Sequence, residues 1–329
     1  MKLALGPVLY YWQRDVLFEF YQRIAESPVD IVYLGETVCS KRHTFRLDDW
    51  LEVAKKLAAA GKQVVLSTQA LIESESDLKT LRRLAENGSY TVEANDMGAV
   101  RLLSGKRFVA GPHINTYNPQ TLALLAELGA QRWVIPVEMS RRMLTGMLTG
   151  KPQGMETEVF SYGRLPLAFS ARCFTARHYN LPKDDCQFRC LDHAGGLTLK
   201  TREGQPFLAL NGIQTQSSRI YNLVAELEGM QQLGVDVVRV SPQPFHTEKI
   251  LALFRDRLDG SLSGADALQQ MARLMPDEAC DGYWHDRPGI EQAGIGQAGI
   301  GQTGIGQTGI EQTAILDQPN LDRPQSTAM

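Results

Sequence analysis

The order of elements written into this chain predicts an α/β fold, a (β/α)8 TIM-like barrel with a cysteine-bearing insertion after its seventh strand. Three observations carry that expectation. Short β-prone runs alternate with segments of helical period, helix starts and stops are marked by capping residues and glycines, and one crossover is far longer than the others.

Residues 2–5 form the first β-prone run, and Val16, Leu17, Phe20, Tyr21 and Ile24 then recur at helical spacing. Residues 30–34 are the second strand, followed by a helix over 48–60 that places Leu51, Ala54, Leu57 and Ala58 on one face and stops at Gly61. The third strand is 63–67, with Leu78, Leu81 and Leu84 marking a helix that ends at Gly88. The fourth is 90–93, with Asp96 placed to cap a short helix, and the fifth is 107–110. Asn118 as N-cap, Pro119 at the first helical position and Gly129 past the end bracket the next helix. Residues 132–136 are the sixth strand, Ser140 caps a helix running to Gly150, and 158–162 are the seventh. A helix over 219–233 leads into the eighth strand at 236–240, and a last helix covers about 246–258.

The long crossover is the insertion, residues 163–218. It holds a cysteine segment and then LTLKTREGQPFLAL, whose alternation predicts a hairpin turning at Glu203 and Gly204. The barrel domain is expected over 1–287. From Pro288 the composition changes to PGIEQ, AGIGQ and TGIGQ units repeating every five residues. That period matches neither a helix face nor a strand face, so 288–329 is expected to be a disordered low-complexity tail.

Composition narrows the function classes. A net charge of -3 and a pI near 6.1 supply no field for nucleic acid. No run approaches the roughly 18 apolar residues of a membrane span, and the N-terminal apolar run meets Gly6 and Pro7 too early for a signal peptide. A cytoplasmic protein is expected. Five cysteines are too few for a disulfide scaffold in a chain of 329 residues.

Three of those cysteines, Cys173, Cys186 and Cys190, lie within eighteen residues, with Pro182, Asp184 and Asp185 arguing for loop between them. Thiolates on a loop can converge on a metal. A fourth ligand has to come from Cys39 or Cys280. Barrel sites are built by the loops after the C-terminal ends of the strands. Cys39 follows the second strand and Cys173 the seventh, whereas Cys280 lies beyond the last barrel helix. The expected set is therefore Cys39, Cys173, Cys186 and Cys190. Four thiolates suit zinc or an iron–sulfur cluster. Structural zinc sites use paired short knuckles, and only one short pair exists here, which favours [4Fe–4S]. Cys186-x3-Cys190-x2-His193 imitates a radical C-x3-C-x2-C motif, but it lacks the third cysteine and does not follow the first strand.

The run Glu158-x-Phe160-x-x-Gly163-Arg164-x-Pro166-Leu167-Ala168, then Ser170-x-Arg172-Cys173 and Cys186-x3-Cys190, resembles the collagenase-like peptidase superfamily. More narrowly it resembles the branch that acts in oxygen-independent ubiquinone biosynthesis. The resemblance spans 1 to about 287 and includes LGETVCSKRHTF around Cys39, PHINTYN at 112–118 and GYW at 282–284. It implies that the four cysteines hold a [4Fe–4S] cluster. It also implies a heterodimer with a relative, UbiU, and joint action with the lipid carrier UbiT in anaerobic ring hydroxylation of a ubiquinone precursor. The family offers no role for the repeat tail.

Four cysteine ligands leave no open iron, which argues for electron transfer or structural support over Lewis-acid chemistry. Glu36, Glu93, His113, Asn115 and Glu138 fall just past strand ends, and these are the candidates for lining a substrate cleft. Rival readings are a metal-linked peptidase, which no HExxH or GxSxG motif supports, and a non-catalytic partner whose metal site is structural.

Overall fold

The structure is a computed structural model that describes residues 1–292. The expected disorder of the repeats concerns residues that, from 293 on, lie outside the described ones. Pro288–Glu291, the start of the first repeat, is tied down: the Asp281 and Gly282 amides both donate to the Glu291 carbonyl, at 3.0 and 2.9 Å.

Eight parallel strands close into a barrel. The staves are β1 (Lys2–Leu5), β2 (Ile31–Leu34), β3 (Gln63–Ser67), β4 (Thr91–Ala94), β5 (Phe108–Ala110), β6 (Ala130–Val134), β7 (Glu156–Phe169) and, after an insertion, β11 (Val237–Val240). Each pairs with the next, and β11 closes the ring by pairing with both β7 and β1, Val237 lying opposite Glu158 on one side and Lys2 on the other. Helices α1 (Arg14–Glu26), α2 (Leu47–Ala59), α3 (Glu75–Ala85), α4 (Met97–Leu103), α5 (Pro119–Glu127) and α6 (Arg141–Leu148) fill the first six crossovers. The caps expected from the sequence are in place. Asp96 accepts from the Ala99 amide at 2.8 Å, Asn118 from Thr121 at 2.8 Å and Ser140 from Met143 at 3.2 Å.

Alternation along each stave sorts the core into two parts. Leu3, Leu5, Val32, Leu34, Val64 and Leu66 join the large cluster, which also holds the buried faces of the helices. Their in-between neighbours Ala4, Ile31, Tyr33, Val65, Val109, Val134 and Val237 form a separate cluster inside the ring. On those same interior positions stand Glu93, Arg132, Glu158 and Arg239, none more than 3% exposed. Arg239 bridges two staves, giving Nη2 to Glu93 at 2.7 Å and Nε to Glu158 at 2.5 Å, with its guanidinium 3.9 Å from the Tyr33 ring centre. The Tyr33 hydroxyl donates to Glu158 at 2.5 Å and accepts from Arg132 at 2.9 Å.

The insertion departs from expectation at its far end. A helix was expected over 219–233, but Gln214–Asn222 is a strand, β10, and helix α8 spans only Leu227–Leu233. The physical reason lies in β7. It runs fourteen residues, well past the 158–162 expected, and leaves the ring as a free antiparallel edge, which β10 takes with Tyr221 opposite Gly163 and Ile220 opposite Arg164. The hairpin β8 (Leu197–Lys200) and β9 (Pro206–Asn211) then extends that sheet, as its alternation predicted. Gly163 marks the point where β7 departs. Its φ is +126°, and a Cβ there would stand 2.6 Å from Cβ of Ser241. After β11 come α9 (Thr247–Leu258), α10 (Gly264–Met271) and the two-residue strand β12 (Ala279–Cys280), which places Cys280 in the main core.

Removing one member of a buried ion group leaves its partners charged and unpaired, at a cost of about 3–5 kcal/mol. Arg239→Met, which leaves Glu93 without a cation and Glu158 with only Arg132 and Tyr33, is expected to lower the urea midpoint by that amount of stability. A midpoint within about 0.5 kcal/mol of the parent would show that the two carboxylates find other partners.

Candidate functional site

The rim at the C-terminal ends of the staves gathers the cysteines. Cys39 sits in the loop after β2, and Glu36 shapes that loop by accepting from the amides of Val38 and Cys39 at 2.9 and 3.0 Å. Gly35 lets the loop start against β3, since a Cβ there would lie 2.3 Å from the Ser67 carbonyl oxygen at a φ of +146°. Cys173 is the N-cap of the one-turn helix α7 (Phe174–His178), where its Sγ accepts from the Ala176 amide at 3.4 Å. Cys39 and Cys173 pack together against Leu9, Val38 and Ile213. Between Cys186 and Cys190 both Gln187 and Phe188 take left-handed backbone, φ 49° and 51°. Such a conformation costs a non-glycine residue about 1 kcal/mol and is held only where contacts enforce it. Phe188 against the Tyr11 ring, 5.8 Å between centres, is such a contact.

Arg42 joins the segments. It gives Nη1 to the Leu9 carbonyl and Nη2 to Asn211, both at 2.7 Å, and its charge faces Cys39 and Cys190. Lys41 lies near Cys39 and Cys186 and binds Asp184 at 2.5 Å. Burial pushes the Cys39 thiol up to about 11 and raises that of Cys190, with Arg42 opposing in both cases. The four thiols share one neighbourhood, with Cys173 near enough to couple to both Cys39 and Cys190. As a donor set they match a soft-metal group. Among the described residues, no three His, Cys, Asp or Glu side chains form a group that could hold a single ion.

The five polar candidates have separate positions. Glu36 is half-buried next to Arg42 and lines a cavity of about 350 Å³ between the β2 and β3 loops. Burial raises its carboxyl, against the pull of Arg42 and of the two amides it holds. Glu93 lies inside the ring, paired with Arg239 and accepting from the Ser67 hydroxyl at 2.7 Å. Asn115 is exposed in left-handed backbone, and Glu138 accepts a short hydrogen bond from the Tyr117 hydroxyl. The sequence reading missed Arg42, Arg132, Arg164 and Arg239. A charged residue on the inward parity of a predicted strand, as in VVRV, was the available signal for Arg132 and Arg239.

His113 packs edge-on against Phe169, 4.9 Å between centres at 83°, and burial, aided by the Arg239 charge, pulls its pKa from 6.5 down to about 4. The fold therefore accepts the neutral ring. The unfolded chain takes up the proton below its own value of about 6.5, so the contribution to stability is whole above that pH and is lost as pH falls toward about 4. His113→Phe is expected to flatten this part of the stability curve, measured by urea midpoints at about pH 7.5 and about pH 5. Equal slopes in both proteins would mean that the ring is not held neutral.

Solved structures with likeness to this one include a U32 peptidase, at 12% identity over 74% of this chain and 93% of that chain, TM-score 0.42. The dihydropteroate synthase of Burkholderia cenocepacia matches at 13% identity over 83% of this chain and 93% of its own, TM-score 0.40. The dihydrodipicolinate synthase of Aquifex aeolicus matches at 6% over 83% and 80%, TM-score 0.37. The sequence match is the decisive one: the family model described as Peptidase family U32 aligns with residues 18–294, from within helix α1 through strands β2 to β11 and the insertion, and the chain belongs to that family.

Proposed function

We propose that this chain is a UbiV-type iron–sulfur subunit that supports oxygen-independent ring hydroxylation of a ubiquinone precursor, with UbiU as heterodimer partner and UbiT as lipid carrier. The observation that carries the proposal is the gathering of Cys39 with Cys173, Cys186 and Cys190 beside Arg42 and Lys41, from positions up to 151 residues apart in sequence. Cys39, Cys173, Cys186 and Cys190 would hold a [4Fe–4S] cluster. Only one short pair, Cys186-x3-Cys190, is present where structural zinc sites use two, which favours a polynuclear group over zinc.

Bound by four thiolates, such a cluster passes single electrons and presents no open iron. The chain's own residues do the rest. Arg42 and Lys41 supply positive charge that offsets the thiolates, and the Ala176 amide adds a hydrogen bond to Cys173. Glu36 positions the Cys39 loop by accepting from the Val38 and Cys39 amides. The sheet of the insertion exposes Leu167, Leu199 and Phe207, apolar area suited to a protein partner. Among the described residues, no helix is long and apolar enough to cross a membrane.

The family description favours a peptidase as the second reading. Against it, the buried carboxylates Glu93 and Glu158 are both committed to Arg239, which leaves neither free to activate water. Hydrolysis of peptides by the purified protein would restore that reading.

Protein purified without oxygen is expected to contain about four iron and four sulfide per chain. One zinc without sulfide would overturn the assignment. Cys39→Ala is expected to lose the cluster and abolish anaerobic ubiquinone synthesis in cells that depend on this chain. A folded, cluster-free variant that still sustains synthesis would reduce the metal site to a structural role.

A further inference from the structure

A second cavity, of about 410 Å³, opens between the bend of β7, the loop after β11 and the turn that follows the cysteine segment. Tyr10, Ile220, Phe245 and Met275 give it apolar walls, and its polar lining includes Arg164, His246 and Arg273. Among the described residues no aspartate or glutamate lines it. Two of its features point to a ligand. Phe245 is 75% exposed at the lip, so a large apolar ring faces water beside an apolar hollow. Arg273 makes no side-chain hydrogen bond or ion pair among the described residues, while Arg164 is committed to the Ser217 and Ser218 carbonyls and to Asp277.

We propose that this cavity binds a small anion with a flat apolar body, its body against Tyr10 and Phe245 and its carboxylate on Arg273. The wall given by the insertion fits such a slot. Gly195 lies where a Cβ would touch Pro244 at 3.4 Å, Gly196 has a φ of +85° and lies against the Tyr10 ring, and Trp12 Nε1 holds the turn by donating to the Ala194 carbonyl at 2.9 Å. Glycine there lets backbone form a thin wall, where a side chain would fill the slot. Apolar burial supplies affinity, and the uncompensated positive charge selects an anion over a neutral body of the same shape. A volume in the range of small-molecule sites agrees with that class. This assignment is independent of what the cysteines hold.

Calorimetric titration of the anaerobically purified full-length protein with naphthalene-2-carboxylate and with naphthalene-2-carboxamide tests it. The carboxylate should bind about tenfold more tightly than the amide. Arg273→Gln should erase that preference, and Phe245→Ala should weaken both probes. Arg83→Gln, at the separate 350 Å³ cavity, should change neither. Arg273, Phe245 and Arg83 all lie at the surface, and matching circular dichroism spectra verify that the variants fold. Equal affinity for the two probes, no binding of the carboxylate at about 1 mM, or sensitivity to Arg83→Gln in place of Arg273→Gln would each overturn the proposal.

Discussion

The charge pair of Glu93 and Glu158 on Arg239 is the constraint around which the ring is built. Two carboxylates and two guanidiniums inside a barrel are costly to desolvate, and the arrangement is tolerable only because nearly every lone pair has a donor. Arg239 on β11 satisfies an oxygen on each of β4 and β7, Tyr33 adds β2 and Arg132 adds β6, so the group ties five staves. Such a group is weak as a source of net stability but demanding in geometry. A slip of one residue in any of these strands would turn a charge toward the helices and leave its partners bare.

The same logic extends to the rim. Arg42 is 4% exposed, and its donors go to the Leu9 carbonyl after β1 and to Asn211 in β9, while Asn211 returns a hydrogen bond to Leu9 at 2.8 Å. One side chain three residues after Cys39 thus ties the first rim loop to the insertion. Lys183, bound to Glu73 at 2.5 Å, makes a second tie from the insertion to the loop after β3. The cysteine segment has little core of its own, so these polar ties and the Phe188–Tyr11 contact determine where its thiols lie.

Much of the fold was legible in the chain because it rests on local signals. Period, caps and terminal glycines are properties of a few neighbouring residues, so Asp96, Asn118, Ser140 and Gly129 could be read directly. The stretch 219–222 could not. Ile220 and Tyr221 are compatible with a helix face, and they form a strand only because the free edge of β7, remote in sequence, stands ready to pair with them. The charged interior was also hidden, because a lone arginine in a β-prone run gives no sign of which carboxylate it will meet.

The sequence by itself determined the alternation of strands and helices, the insertion after the seventh strand and the placing of Cys39 on the rim that it shares with Cys173, since each follows from short-range pattern and from the rule that barrel sites collect at one rim. Tertiary structure alone decided that Glu36 shapes a loop, that Glu93 serves the interior ion group, that His113 is held neutral and that Arg42 stands among the thiols. The physical reason is common to all four. The role of a polar side chain is set by which partner reaches it across the fold, and partners brought together by ring closure leave no trace in local sequence.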